Sequence, residues 1–205
     1  AGLQMVQKER AEANARRAAL EQLQKRVQGE GKLGEWLHRH GLDRHQPLWK
    51  VMHVDAGWED AVEAVLRERI GTLPADQFEA DWARNRPGSK VSLLLPAPES
   101  GASAGQSWRP DKPLLAHVRC DEPRLSVVLE EWLGRVNTAP DLATALHQQE
   151  TLPAGALCVT PQGDLLDRLS LTLFAPDAAE HGLLERQREI DELAALIALR
   201  EDRVA

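Results

Sequence analysis

Apolar residues recur every seven positions at both ends of this 205-residue chain, and this spacing limits what the chain can fold into. The first series is Val6, Ala13, Leu20 and Val27, and the second is Leu183, Ile190, Ile197 and Val204. A seven-residue repeat keeps one apolar seam facing a partner helix, whereas a helix on a globular core follows the 3.6-residue period. We therefore predict that residues 1–28 and 183–205 are the arms of an antiparallel coiled coil. The alternative is two amphipathic helices that pack on the core of the intervening segment.

The insert between the arms is predicted to be a mixed α/β domain of two lobes, residues 29–113 and 114–182. All six tryptophans fall in this insert, and they favour a packed core because an indole buries a large area. Residues 96–113 are rich in Pro, Gly and Ser and lack periodicity, which predicts a linker. Periodicity and turn residues predict helices up to Gln28 and over Glu35–Arg39, Trp58–Ile70, Ala75–Ala83, Leu125–Leu133 and Asp141–Gln149. The predicted strands are Leu48–Val54, Val91–Leu95, Leu114–Val118, Ala156–Thr160 and Leu169–Phe174.

The charge is unevenly distributed along the chain. The whole chain carries −7, but its first 50 residues contain ten Lys or Arg and six Asp or Glu, a net +4. A basic neck on an acidic body predicts sequence-independent contact with nucleic acid phosphates. The candidate residues are Lys25, Arg26, Lys32, Arg39 and Arg44 at the neck, with Arg84, Arg86 and Lys90 as a second group. The alternative is a solvated surface whose cations pair with neighbouring glutamates.

The sequence predicts a cytoplasmic segment of a longer protein. No apolar run approaches the roughly 20 residues that span a bilayer, and no secretory signal opens the chain. Its two cysteines, Cys120 and Cys158, form no Cys-x-x-Cys pair, which favours a reducing compartment. The chain starts at Ala1, already inside a helical pattern, so we expect further sequence before it.

Three motifs that are typical of enzymes lack the context that their chemistry requires. Gly101–Gly105 matches the nucleophile elbow, but prolines precede it and no helical pattern follows. His117 and Cys120 supply two metal ligands where zinc needs three or four. Arg86–Lys90 lacks the spacing of a phosphate-binding loop. The sequence therefore predicts no enzyme, no metal or cofactor and no small-molecule substrate.

Four segments of the chain follow one another in a recognisable order. Leu48–Ile70 combines an apolar segment with the acidic helix pattern Glu59-Asp-Ala-Val-Glu63. Arg86–Pro96 contains a Gly-containing turn, a predicted strand and a proline, and Gly155–Leu165 contains a predicted strand followed by Gly-Asp-Leu. His181–Ile190 begins the second heptad arm. In this order the segments resemble the hinge domain of bacterial chromosome-partition proteins of the structural maintenance of chromosomes (SMC) class, in which the last of them is similar to the start of the descending coiled coil.

This resemblance implies a homodimerising hinge at the tip of two long antiparallel coiled coils. The ATPase heads, with ATP and Mg²⁺, are expected outside this segment, and the complete protein is expected at the nucleoid. DNA is the expected second partner. A tip domain of another coiled-coil protein, which binds a protein partner instead of itself, is the alternative.

The resemblance also implies a dimer contact late in the insert, where an exposed edge strand is a template for a second chain. The candidate residues are Leu169, Ser170, Leu171, Leu173 and Phe174. Many family members carry glycines in this contact, where Ser170, Phe174 and Ala175 stand here. Since glycine permits close backbone approach, we expect a different interface geometry. An interior strand of the second lobe is the alternative for this segment.

Overall fold

The structure is a computed structural model that describes residues 2–27, 32–76, 79–94, 108–174 and 182–202. Its α-helices are α1 (Gly2–Val27), α2 (Lys32–Arg39), α3 (Leu48–Val51), α4 (Glu59–Leu66), α5 (Pro123–Leu133), α6 (Leu142–Gln149) and α7 (Leu183–Asp202). Its strands are β1 (Met52–Val54), β2 (Leu73–Pro74), β3 (Leu93–Leu94), β4 (Val118–Cys120), β5 (Val136–Thr138), β6 (Leu157–Val159), β7 (Leu165–Leu166) and β8 (Leu171–Thr172). Short 3₁₀ helices cover Arg67–Gly71, Ala80–Ala83 and Leu114–His117.

The arms α1 and α7 lie side by side and run antiparallel. The order of their cross-helix pairs shows this direction: Glu9 with Arg200, Arg16 with Glu189 at 2.5 Å, and Gln24 with Gln187 at 3.0 Å. Polar pairs therefore flank the contact between the two arms along much of its length.

The predicted seam residues occupy different depths in this arm pair. Ala13, Leu183, Ile190 and Ile197 are buried, and Val6 and Leu20 are half-buried. The side chain of Val27 and the whole of Val204 lie outside the described residues. Among the helices that the structure describes, none is both long and apolar enough to cross a bilayer.

The main core draws on segments from both sides of the predicted linker. It contains Leu48, Trp49, Met52, Ala61, Val62, Leu66, Leu114, Val118, Leu125, Leu129, Leu133, Val136, Val159, Leu183 and Leu184. Strands β1 and β4 pair antiparallel across this core, with Met52 opposite Cys120. Leu183 and Leu184 place the start of α7 in the same core as segments of both predicted lobes.

A smaller cluster of Trp36, Leu42, Ala75 and Trp82 joins α2 to the following segment.

A four-stranded sheet in the order β5-β6-β7-β8 ends at β8. Strands β5 and β6 run parallel, and β6, β7 and β8 are antiparallel neighbours. A separate parallel pair, β2 and β3, puts Leu73 opposite Leu93. The strand predicted over Leu169–Phe174 therefore has one neighbour, β7, within the described part of the chain.

The strand predicted over Leu48–Val54 is wrong in its first half, because residues 48–51 form the single helical turn α3. The Met52 N–H donates to Leu48 O, the i→i−4 hydrogen bond of a helix, and the turn buries both Leu48 and Trp49 in the main core. Pro47 precedes the turn in an extended conformation. The strand β1 then takes only Met52–Val54.

Three further predictions are wrong over part of their range. The helix predicted over Ala75–Ala83 is wrong at its start, because the Ala75 N–H donates to Leu94 O at 3.0 Å and extends the β2–β3 pairing. The strand predicted over Leu114–Val118 is mostly a 3₁₀ turn after Pro113, and the strand β4 begins at Val118. The helix predicted over Trp58–Ile70 is α-helical only from Glu59 to Leu66. Strands β2, β5 and β7 were not predicted.

Candidate dimer edge and basic surface

The tight hairpin between β7 and β8 is stabilised by one aspartate. The Asp167 N–H donates to Ser170 O at 3.0 Å, which leaves Arg168 and Leu169 at the tip. The Asp167 carboxylate accepts from the N–H groups of Leu169 and Ser170, both at 2.7 Å, and from Ser170 Oγ at 2.8 Å. These hydrogen bonds, the one from Leu169 above all, lower the pKa of the Asp167 carboxyl.

A glutamine of α6 holds the hairpin from the side. Gln149 Nε2 donates to the carbonyls of Asp167 at 3.3 Å and Arg168 at 3.2 Å. The hairpin tip is therefore tied both to its own aspartate and to a neighbouring helix, and this fixes its position on the body.

The predicted interface residues divide into an exposed and an inward-facing group. Leu169, Leu171 and Leu173 are 93%, 40% and 64% exposed. Ser170 belongs to the hairpin turn described above. Phe174 is half-buried, and its N–H donates to Asp164 Oδ1 at 3.1 Å. Three leucines therefore lie on the solvent side at a sheet edge. Exposed apolar side chains in such a place lower the solubility of a protein unless a binding partner covers them.

Gly163 separates the Phe174 ring from α4. Its φ is +83°, and a Cβ at this position would lie 2.8 Å from the ring and 2.9 Å from the carbonyl oxygen of Asp60. A glycine is needed here both for the backbone conformation and for the space. The segment that follows β8 is thus packed closely against the body through Gly163, the glycine of the Gly-Asp-Leu motif that the sequence resemblance includes.

A cavity of about 470 Å³ lies between α4 and β8. Its walls include Ala64, Ile70, Leu165 and Leu173, with Arg67 at the end of α4. Arg67 has φ 48° and ψ −126°, a backbone conformation that L residues rarely adopt. No signal in the sequence could have identified this strained residue, since nothing distinguishes it from other exposed arginines.

The predicted basic residues are only partly available for contact. Arg44 pairs with Asp76, and Lys90 pairs with Glu68, each at 2.8 Å, and the hydrogen bond from Lys90 lowers the pKa of Glu68. The positive charges of these two are compensated locally. The side chains of Lys25, Arg26 and Lys32 lie outside the described residues.

Arg39, Arg84 and Arg86 remain as exposed cations, and they pair with no acidic residue in the part of the chain that the structure describes. Two tryptophans bring their segments together. Trp36 Nε1 donates to Asn85 O at 2.6 Å, and Trp82 Nε1 donates to His40 Nδ1 at 3.1 Å. Helix α2, which carries Arg39, therefore lies beside the segment that carries the other two arginines.

The thiols and acidic groups assemble no catalytic or metal site among the described residues, where no cluster of three or more His, Cys, Asp or Glu side chains could hold an ion. Burial raises the pKa of both the Cys120 and Cys158 thiols. Neither thiol is therefore activated as a nucleophile at neutral pH. The arrangement suits macromolecular contact through a sheet edge and a basic surface.

The amino-acid sequence is similar to a known family of domains and to several known proteins. The sequence profile of the family described as SMC proteins Flexible Hinge Domain matches residues 42–149. The chromosome partition protein Smc of Bordetella petrii is 42% identical over 188 residues, which are 89% of this chain and 16% of that protein. The Smc protein of Burkholderia pseudomallei is 42% identical over 185 residues, 87% of this chain and 15% of the other. The chain thus spans about 16% of the length of such a relative.

A solved structure shares the fold. The crystal structure of an asymmetric dimer of the Geobacillus stearothermophilus SMC hinge domain matches with a TM-score of 0.71 at 20% identity. The match covers 98% of this chain and 87% of that one, so it includes both arms as well as the insert.

Proposed function

The chain belongs to the family of SMC flexible hinge domains, and from this premise we propose that it is the homodimerisation hinge of a chromosome partition protein. Strand β8 joins two copies, and the arms α1 and α7 continue into longer coiled coils. ATP and Mg²⁺ would bind at ATPase heads in other parts of the complete protein. The described residues form no cluster of ligands for Mg²⁺, so no step of that chemistry is assigned to them.

One observation carries the dimer proposal: β8 is the terminal strand of its sheet among the described residues, and three exposed leucines lie in it or beside it. Leu171 is in the strand, Leu169 is at the hairpin tip and Leu173 follows the strand. The outer edge of β8, which pairs with no strand in the described part of the chain, can add a strand from a second chain, since unpaired N–H and C=O groups are a template for pairing. The solved dimer of the Geobacillus stearothermophilus hinge supports association of this fold. Covering Leu169, Leu171 and Leu173 would remove apolar surface from water and stabilise the complex.

Sedimentation equilibrium of Leu171→Lys tests this proposal. A lysine at an edge strand opposes pairing because its charge must be desolvated, so we expect the dimer to weaken at least about tenfold. Val127→Lys is the matched control, since Val127 is 67% exposed on α5, away from the hairpin. A wild-type chain that sediments as a monomer at high concentration contradicts the proposal and favours the tip domain that binds another protein.

A second function rests on the juxtaposition of α2 with the segment of Arg84 and Arg86. We propose that Arg39, Arg84 and Arg86 contact DNA phosphates without reading sequence, which would place the complete protein at the nucleoid in the cytoplasm. Lys25, Arg26 and Lys32 are proposed to extend this surface along the neck. Arg44 and Lys90 contribute less, because each already pairs with a carboxylate.

The salt dependence of DNA binding tests the second function. Reversing all three exposed arginines to Glu is expected to weaken binding and to reduce the log–log salt slope by about 0.9 per lost phosphate contact. Arg135→Glu is the control, because Arg135 is also exposed but follows α5 on another part of the body. Equal affinity of the triple variant and the control at low salt contradicts this contact surface.

A further inference from the structure

The return helix α7 begins at a residue that cannot cap it. The Arg186 N–H donates to Gly182 O at 2.9 Å, so Gly182 stands immediately before the first helical turn. Its φ is +80°, a conformation that suits glycine. A helix start leaves several N–H groups without partners, and a Ser, Thr, Asp or Asn in this position normally supplies a side-chain oxygen. Gly182 has no side chain to do so.

Glu63 of α4 supplies the missing acceptor from far along the chain. Its carboxylate accepts the N–H of Gly182 at 2.9 Å and the N–H of Leu184 at 2.6 Å. Leu184 is the second residue of α7, and its N–H is one of those that a capping side chain ordinarily takes. The negative charge also lies at the positive end of the helix dipole.

Glu59 holds the same helix at a second point. It precedes Glu63 by four residues, so both carboxylates lie on one face of α4. Glu59 Oε1 pairs with Arg188 of α7, and Oε2 accepts the Gly57 N–H at 2.7 Å. The two glutamates are only 7% and 6% exposed. Buried carboxylates are costly unless they are paired and hydrogen-bonded, as both are here.

Apolar packing by itself does not define the direction of α7. Leu183 and Leu184 bury the start of the helix in the main core, but such contacts are non-directional. The contacts of Glu63 with Leu184 and of Glu59 with Arg188 fix α7 at two points along its axis. Two fixed points define the direction of the helix. We propose that Glu59 and Glu63 form a joint that sets the direction in which the return arm leaves the body.

This joint does not depend on dimerisation, because all of its groups belong to one chain. It differs from the seam between α1 and α7, which holds the arms to each other. The joint instead holds the arm pair to the insert, since Glu63 and Glu59 lie on the insert side. Removing it should leave the arms paired and the body folded, with a wider range of angles between them.

The test measures the angle between arm and body with two nitroxide labels. Exposed Leu199 on α7 and exposed Val127 on α5 are changed to cysteine in a Cys120→Ser background, and labelled chain is diluted with unlabelled chain. The variants are Glu63→Gln, which keeps the side-chain shape, and Arg188→Gln, whose partly exposed side chain makes unfolding improbable. Glu185→Gln is the control, because it removes a charge from an exposed residue in the first turn of α7 that takes no part in the hydrogen bonds and the ion pair described above for Glu59 and Glu63.

We expect a broader distribution of label distances in Glu63→Gln and Arg188→Gln, with the distribution of Glu185→Gln unchanged from the parent. Hydrogen exchange gives a second readout, because glutamine keeps only one of the two acceptor oxygens. The Gly182 or the Leu184 amide should exchange roughly tenfold faster (on the order of one hydrogen bond lost) in Glu63→Gln only. Unchanged distances in both variants overturn the proposal. An equal broadening of the distance distribution in Glu185→Gln also overturns the proposal. It would show that charge in the first turn of α7 sets the arm angle and that the Glu59–Glu63 joint does not.

Discussion

The indole N–H of Trp36 donates to the backbone carbonyl of Asn85 at 2.6 Å and thereby ties α2 to a segment 49 residues away. Trp82 supports the contact from the other side, since its ring lies 6.0 Å from that of Trp36. Both rings are buried in the small cluster that contains Leu42 and Ala75. This hydrogen bond and its apolar surroundings therefore help to hold the neck on the insert, together with the Trp82–His40 hydrogen bond.

Trp36→Phe removes this hydrogen bond but keeps most of the ring. We expect the free energy of unfolding to fall by about 1 kcal/mol more than in the control, because a partly buried hydrogen bond is lost. Trp49→Phe is the matched control, since both indoles are 5% exposed and Trp49 makes no such hydrogen bond among the described residues. Urea unfolding of both variants gives the comparison, and equal losses would contradict a specific role for the hydrogen bond.

Gly163→Ala should lower the free energy of unfolding for two reasons, the positive φ of this position and the lack of space for a methyl group. The new methyl group would lie 2.8 Å from the Phe174 ring and 2.9 Å from the Asp60 carbonyl, and the latter is backbone that cannot turn away. Strain of this kind is on the order of 1–3 kcal/mol, and the steric overlap adds to it.

Gly155→Ala separates the two causes, because Gly155 has φ +79° and no atom lies within 4 Å of the position that a methyl group would take there. Its cost should be limited to that of the backbone conformation, about 1 kcal/mol. Thermal unfolding of both variants is the measurement. If Gly155→Ala is as damaging as Gly163→Ala, close packing around Gly163 is not the reason for its glycine.

Acidification should loosen the β7–β8 hairpin through Asp167. Its pKa is lower in the folded chain than the ordinary 3.8, so the folded state binds the proton less readily. The stability from this carboxylate is complete above that value and is lost as the pH falls through the folded pKa. The free energy of unfolding of Asp167→Asn should therefore fall less than that of the parent as the pH drops below about 4. Unfolding curves at pH 5 and pH 2.5 decide this, and parallel losses in both chains would contradict it.

The two thiols should differ in their reaction with iodoacetamide. Burial raises the pKa of both, which lowers the thiolate fraction at pH 7.5. Cys158 is fully buried and should react only after unfolding, whereas half-buried Cys120 should react slowly in the native chain. Mass spectrometry of the alkylated protein with and without urea checks the order. Rapid native labelling of Cys158 would contradict the placement of β6 in the interior.

The positions of α5 and α6 could be predicted from the sequence because these helices have local start or stop signals. Helix α5 has Pro123 in its first turn and Gly134 at its end, and α6 has Asp141, whose carboxylate accepts the Thr144 N–H at 2.7 Å. Such signals act between residues a few positions apart, so they are visible in the chain. The mixed α/β class and the SMC hinge resemblance were confirmed.

The strands and the joint could not be predicted in the same way. Strands β5 and β7 contain three and two residues, too few to show an alternation, and they exist because neighbours in the sheet pair with them. Alternating leucines at 169, 171 and 173 indicate a strand but not which edge of which sheet it occupies. The role of Glu63 depends on N–H groups 119 and 121 residues away, and no local pattern encodes that distance.

Gly163 gives α4 a mechanical role besides its place in the core. Through Gly163, the carbonyl of Asp60 backs the end of β8, and through Glu63, the next turn of the same helix holds Gly182 at the start of the arm. One eight-residue helix, α4, therefore supports both the strand that is proposed to hold the partner and the arm that leaves the body. A pull along the arm would therefore reach β8 through α4 as well as through the chain that joins β8 to α7.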